Sequence, residues 1–176
     1  MLDTQAPPAP LVGGETRDGI RILTIANPPV NALSYLVSEA LVNEIAAAEA
    51  DDAIRALVIT GSKGFFSGGA DINDFIKPPP PGSKSVRDVV KALEGAKKTS
   101  VAAIDGNALG GGLETALTCD YRLATPASKV GLPEILLGLL PGAGGTQRLP
   151  RLLATKNPLN NGLAGVQMAL DMMLKG

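Results

Sequence analysis

Two glutamates stand where a carboxylate is costly. Glu114 follows three glycines in the apolar run "ALGGGLETAL" (Ala108–Leu117), and Glu134 lies between Pro133 and Ile135 in "VGLPEILLGLLPGAGG". A charge among apolar residues has to be paired, protonated or used. Two carboxyl groups facing one water can activate it and deliver a proton without a metal. Each also has a plainer reading, because acidic residues favour the first turn of a helix as capping-type carboxylates. For either residue alone the plainer reading is the better one. Together, behind glycine-rich turns, they point to acid–base chemistry.

What is missing narrows that chemistry. The 176 residues contain no histidine, which removes Ser-His-Asp and Cys-His hydrolases, histidine metal sites and histidine bases. The single cysteine, Cys119, can form neither an internal disulfide nor a cysteine-rich zinc site, and reads as a buried core thiol. No metal is expected. A net charge of −1 and an aromatic content of 3% give no electrostatic or stacking case for nucleic acid. No run of about 18 apolar residues occurs, so no membrane partner is expected. The start "MLDTQAPPAP" lacks a basic and an apolar region and does not read as a secretory signal. A cytoplasmic location is expected, with peroxisome and mitochondrion left open.

The elements that must position the glutamates alternate. "IRILTI" (Ile20–Ile25) reads as a strand and "ANPPVNAL" as a proline-forced turn. From Ser34 the pattern is helical, with Val37, Leu41, Ile45 and Ala48 on one face. "ALVIT" (Ala56–Thr60) suits a strand buried on both sides and stopped by Gly61. "KPPPPGSK" (Lys77–Lys84) reads as a stiff exposed connector. A helix over 86–96, a strand over Ser100–Asp105, a helix through "ETALTCD" and a strand over Tyr121–Thr125 follow. The order predicts an α/β layout with a largely parallel sheet.

Three glycine-rich segments each introduce a helix: Gly64–Ile72, Asn107–Glu114 and Leu140–Leu149. A helix start offers unpaired N–H groups and partial positive charge, and glycine lets a ligand approach the backbone, so each turn can hold an anion or a developing oxyanion. Dinucleotide spacing fails, because Thr115 and Gln147 stand where a third small residue is needed. There is no GxxxxGK[ST] loop and no GxSxG elbow.

"GSKGFFSGGADI", "AAIDGNALGGGLETALTCDYRLAT" and "VGLPEILLGLLPGAGGTQRLPRL" resemble, in order and spacing, three diagnostic segments of the crotonase superfamily, the enoyl-CoA hydratases and isomerases. The resemblance spans Ile20 to Leu153, with an echo in "VQMALDMMLKG". It is especially close to the hydratase half of bifunctional β-oxidation proteins. It implies a crotonase-type ββα spiral core rather than a Rossmann sheet. It also implies an acyl-CoA thioester substrate, with coenzyme A part of that substrate and no separate cofactor.

The resemblance also assigns roles. The backbone N–H groups of Ala70 and Gly111 would form the oxyanion hole for the thioester oxygen. Gly69, Asp71 and Ile72 would line the site for the adenine and pantetheine, Pro133 would line the substrate site beside Glu134, and Gly142 would open a third helix start near the reacting carbons. Glu114 would orient and activate water, and Glu134 would exchange the proton at Cα. Isomerases of the superfamily keep the Glu134 position and often make the Glu114 position apolar, so both together imply hydration of 2-enoyl-CoA in fatty-acid β-oxidation, with enoyl-CoA isomerase activity or a truncated non-catalytic acyl-CoA-binding or oligomerising relative as the alternatives. Along the chain, 1–18 is expected as a flexible tail, 19–154 as the catalytic core, and 155–176 as an atypical insertion ("TKNPLNNGLAG") with a terminal helix. The helices that in relatives cover the acyl pocket and make trimer contacts are expected to be missing, and the full-length domain is expected as a trimer-type homo-oligomer.

Overall fold

The computed structural model describes residues 10–155 and 163–175. Its first element was not expected. Residues 12–17, assigned above to a flexible tail, form strand β1 (Val12–Arg17), which pairs antiparallel with β2 (Ile20–Ile25). Two glycines and a mostly exposed strand hide it in the sequence, since only Val12 is buried. The turn is the legible part: Asp18 and Gly19 both have positive φ (48° and 75°), as a two-residue hairpin matching the strand twist requires.

Strands β2, β3 (Ala56–Gly61), β4 (Thr99–Ile104) and β6 (Tyr121–Ala124) are parallel, giving the order β1-β2-β3-β4-β6. Gly61 ends β3 from inside the strand. Leu57 and Ile59 are fully buried, while Val58 on the other face is half-buried, so the strand is sealed on one side only. Above this sheet lies a smaller layer. β5 (Asn107–Leu109) and β7 (Lys129–Gly131) pair in parallel, and bridges Ser67–Ala108 and Leu33–Ala70 extend them.

The chain winds through these two layers as a spiral. Each turn places a strand in the main sheet, then a short extended stretch in the second layer, then a helical segment. The helical segments are α1 (Tyr35–Ala50), the pair α2 (Asn73–Ile76) and α3 (Val86–Gly95), α4 (Gly111–Thr118), and a 3-10 turn over Pro133–Leu137. α5 (Gly145–Thr155) and α6 (Leu163–Leu174) close the described chain. Ser34 caps α1 by accepting the Val37 N–H, and Asp88 accepts the Ser85 N–H at the start of α3. The core lies where Leu23, Ile25, Leu57 and Ile59 meet Val37, Leu41 and Ile45 of α1 and Val89 and Leu93 of α3. A second cluster joins Leu113 and Leu117 to Leu132, Leu149 and Ala169. Of the expected insertion, 156–162 lies outside the described residues, as do 1–9 of the expected tail.

One contact fixes α4 against the second layer. A β-carbon on Gly112 would lie 2.7 Å from both the Cβ and the backbone oxygen of Ser67. Backbone cannot move aside cheaply there, so Gly112→Ala is expected to destabilise the protein by about 1–3 kcal/mol. Thermal unfolding of the two proteins checks this, and an unchanged midpoint would show that α4 is not held at this distance.

Candidate active site

Two peptide units face one cleft. In a trans peptide the C=O and N–H point in opposite directions, so anchoring one aims the other. The carbonyl of Gly69 accepts the Leu33 N–H at 2.7 Å, and the N–H of the same peptide, on Ala70, donates to no group of the described protein. The carbonyl of Gly110 accepts the Glu114 N–H at 2.9 Å as α4 begins, and the Gly111 N–H across that peptide is likewise unengaged. The two donors lie together: a β-carbon on Gly111 would sit 3.3 Å from the Ala70 nitrogen. Gly69 has φ +99°, and a β-carbon on it would come within 2.9 Å of the Leu109 oxygen, so both strain and crowding require glycine there.

Glu114, in the first turn of α4, is only 3% exposed. Its Oε1 accepts the N–H groups of Ala143 at 2.7 Å and Gly145 at 2.8 Å. This corrects the expectation for the third glycine turn. The helix starts at Gly145 rather than Gly142, and the anion at its start is Glu114 itself, so those two N–H groups are not offered to a ligand. Arginines hold the opposite side of the turn. Arg87 Nε donates to the Gly142 carbonyl at 2.7 Å, and Arg148 Nη1 donates to the Ala143 carbonyl at 2.8 Å while Nη2 pairs with Glu94.

Glu134 enters from the 3-10 turn, with Pro133 at its first position, rather than from an α-helix. A β-carbon on Gly110 would lie 3.3 Å from Glu134 Oε1, so glycine there leaves room for the carboxyl group. Its Oε2 is sealed from solvent and has no hydrogen-bond partner among the described residues. Burial pushes the carboxyl above the ordinary carboxylate range, and the charge of Glu114 adds to the rise.

These groups line a cleft of about 590 Å³, with Gly69, Ala70, Gly110, Gly111, Glu114, Pro133, Glu134 and Gly142 on its walls. Ile72, Phe75, Leu137 and Leu140 add exposed apolar surface. Asp71 also lines it, but its Oδ1 accepts both the backbone and side-chain N–H groups of Asn73, the first residue of α2. All nine residues singled out in the sequence therefore meet in one place.

The sequence reading missed others. Pro79, Ser83 and Lys84 of the segment read as a connector line the cleft. Arg87 and Arg148 brace the third turn, and nothing in their local sequence marks them. Among the described residues no cluster of His, Cys, Asp or Glu is placed to hold a metal ion, and no helix is long and apolar enough to cross a membrane. Burial pushes the Cys119 thiol up to about 12, consistent with an inert core position.

Known proteins carry the same arrangement of chain. Residues 15–169 match the family model for enoyl-CoA hydratase/isomerase. The chain is 46% identical over 170 residues to the peroxisomal fatty acid beta-oxidation multifunctional protein MFP2 of Arabidopsis thaliana, covering 93% of this chain and 22% of that protein. It is 43% identical over 159 residues to the human peroxisomal bifunctional enzyme, covering 90% and 20%. The chain thus spans about a fifth of the length of these curated relatives. The enoyl-CoA hydratase of Mycobacterium tuberculosis superposes with a TM-score of 0.79 at 30% identity, covering 94% of this chain and 62% of that one. DspI of Pseudomonas aeruginosa does so with 0.79 at 35%, covering 98% and 68%. With the spiral of strands, the glycine turns and a family match over most of its length, the chain belongs to the enoyl-CoA hydratase/isomerase family, the crotonases.

Proposed function

We propose that this chain hydrates 2-enoyl-CoA thioesters to 3-hydroxyacyl-CoA. The observation that carries this reading is the convergence of two unengaged backbone N–H groups, Ala70 and Gly111, on the cleft that holds Glu114 and Glu134. When water adds to the double bond, its oxygen bonds to Cβ and the π electrons move toward the thioester oxygen. The two N–H groups hold that oxygen as it becomes an enolate, at about 3 kcal/mol each. Glu114 takes the proton that the water loses. Glu134, whose raised pKa keeps a proton available, gives one to Cα and closes the product. Apolar side chains such as Phe75 and Leu140 suit the acyl portion, and Lys84 and Arg87 offer cations to the CoA phosphates.

The Arabidopsis relative's name places it in peroxisomal fatty acid β-oxidation and the human relative's name places it in the peroxisome; the same pathway is proposed here, with the peroxisome in place of the cytoplasm expected above. A homo-oligomer belongs to the proposal, supported by apolar side chains outside the cleft that stand largely in solvent, such as Ile76 and Leu123.

A second reading has its own support. Glu114 Oε1 is already committed to two N–H groups, which suits a structural carboxylate and leaves Glu134 alone to shuttle a proton between carbons, as in an enoyl-CoA isomerase. Purified protein incubated with a short 2-enoyl-CoA and with its 3-enoyl isomer separates the two. Loss of the conjugated thioester with formation of the 3-hydroxy product is expected. Interconversion of the isomers without hydration would establish the second reading, and CoA binding with neither reaction would leave a binding protein.

A further inference from the structure

We propose that Ser67 is a positioning residue for the oxyanion site, its hydroxyl fixing the backbone that aims the Ala70 N–H into the cleft. The proposal rests on the hydratase reading for what that N–H polarises. Ser67 is fully buried and bonded on every side. Its N–H donates to Asn107 O at 3.0 Å, and its carbonyl accepts the Leu109 N–H at 2.9 Å. Its Oγ donates to the Asn31 carbonyl at 2.8 Å and accepts the Gly69 N–H at 3.1 Å.

This set of bonds reaches both halves of the site. Toward Ala70, Gly69 is the weak point: a glycine at φ +99° has many alternative conformations of similar energy. The bond from its N–H to Ser67 Oγ fixes the peptide on one side of Gly69, and the Leu33 N–H on its carbonyl fixes the peptide on the other, so the two together remove that freedom just before the first donor. Toward Gly111, Ser67 holds Leu109, two residues before the second donor, and Gly112 packs directly against the serine. The serine is itself anchored. Asn31, 2% exposed, donates through Nδ2 to the carbonyls of Ser62 at 3.0 Å and Phe65 at 2.6 Å, and its Oδ1 accepts the Asn27 N–H at 3.1 Å. The residue whose carbonyl Ser67 uses is therefore itself held by these three hydrogen bonds. A hydroxyl with one fixed acceptor and one fixed donor has a single orientation, which is what holding a glycine peptide in place requires.

A serine that only satisfied buried polar groups would affect stability alone. The distinguishing quantity is the polarisation of a bound thioester carbonyl. The experiment measures the C=O stretch of a 2-enoyl-CoA labelled with carbon-13 at C1, at saturation, on the full chain. Glu134→Gln is included as background to suppress turnover, and thermal unfolding is measured in parallel. Wild-type geometry is expected to lower the stretching frequency on binding. Ser67→Ala is expected to lose at least about half of that lowering and, with Glu134 restored, about tenfold in kcat, with KM changed by less than about threefold. Ser67→Cys fills similar space with a weaker donor and acceptor and is expected to fall between. It carries the comparison if the alanine variant does not fold. A full frequency shift in both variants, with only the melting point lowered, overturns the proposal. A protein with Ser67 intact in the Glu134→Gln background that binds the enoyl-CoA without shifting its carbonyl overturns the proposal too, and one that binds no enoyl-CoA, with wild type binding none either, overturns the hydratase reading and the proposal together.

Discussion

Glu114→Gln is expected to lower the hydration rate of a short 2-enoyl-CoA by between about 10² and 10⁴, with the fold intact. The fold survives because a glutamine Oε1 can accept the same N–H groups from Ala143 and Gly145 that the carboxylate now accepts. The third glycine turn keeps its internal partner, and Arg87 and Arg148 keep theirs on its carbonyls. What goes is the basicity needed to take a proton from water. CoA affinity and the melting point should change little. Steady-state hydration kinetics check this, and a loss below about tenfold would favour the isomerase reading. Removing both carboxylates should cost less than the product of the single losses, because the pair acts on one water.

Glu134→Gln has two expected signatures. Exchange of the Cα proton of a bound acyl-CoA with solvent deuterium should fall by at least about 10², since no other acid is proposed at that carbon. The second signature is a stability change with a defined sign. The folded protein holds the Glu134 proton more tightly than the unfolded chain does. The wild type is therefore most favoured below the ordinary carboxylate range and loses stability as pH rises through the raised folded value. Glutamine does not ionise and escapes that loss. The variant should melt higher than wild type near pH 7.5, and the difference should vanish near about pH 4. Melting curves at both pH values check it. A difference that grew on acidification would mean that the carboxylate, not the acid, is the favoured form at this position.

Much of this was legible in the sequence because the relevant patterns are local. The α1 face repeats Val37, Leu41, Ile45 and Ala48, and those residues are buried in the order expected. Glycine marks Gly69, where an added β-carbon would lie 2.9 Å from the Leu109 oxygen, and Gly110, where φ is +50° and an added β-carbon would crowd the Glu134 carboxyl group. What was not legible depends on distant partners. Strand β1 has only Val12 to bury and is defined by pairing to β2, although Asp18-Gly19 marks the hairpin. The third glycine turn looked like an open anion site because its occupant, Glu114, comes from another turn of the spiral. Ser67 and Asn31 were not singled out in the sequence, since one polar side chain in a glycine-rich or proline-rich turn carries no periodicity. The hydrogen bonds on which the proposed role rests span more than thirty residues of chain.

The Ala70 donor is an atom that every amino acid except proline supplies. A saturation scan of side chains would therefore be nearly blind to it: position 70 would tolerate many replacements, and that tolerance would say nothing about the N–H. Position 111 would respond through crowding, since an added β-carbon would meet the Val86 side chain at 3.2 Å and the Ala70 nitrogen at 3.3 Å, and that response would not report its own N–H either. Mutational sensitivity would thus reflect packing at both positions and not the donors. Replacing Ala70 with its α-hydroxy acid by semisynthesis turns that one amide into an ester. It deletes the donor and leaves the methyl group, so it makes the deletion that the genetic code cannot.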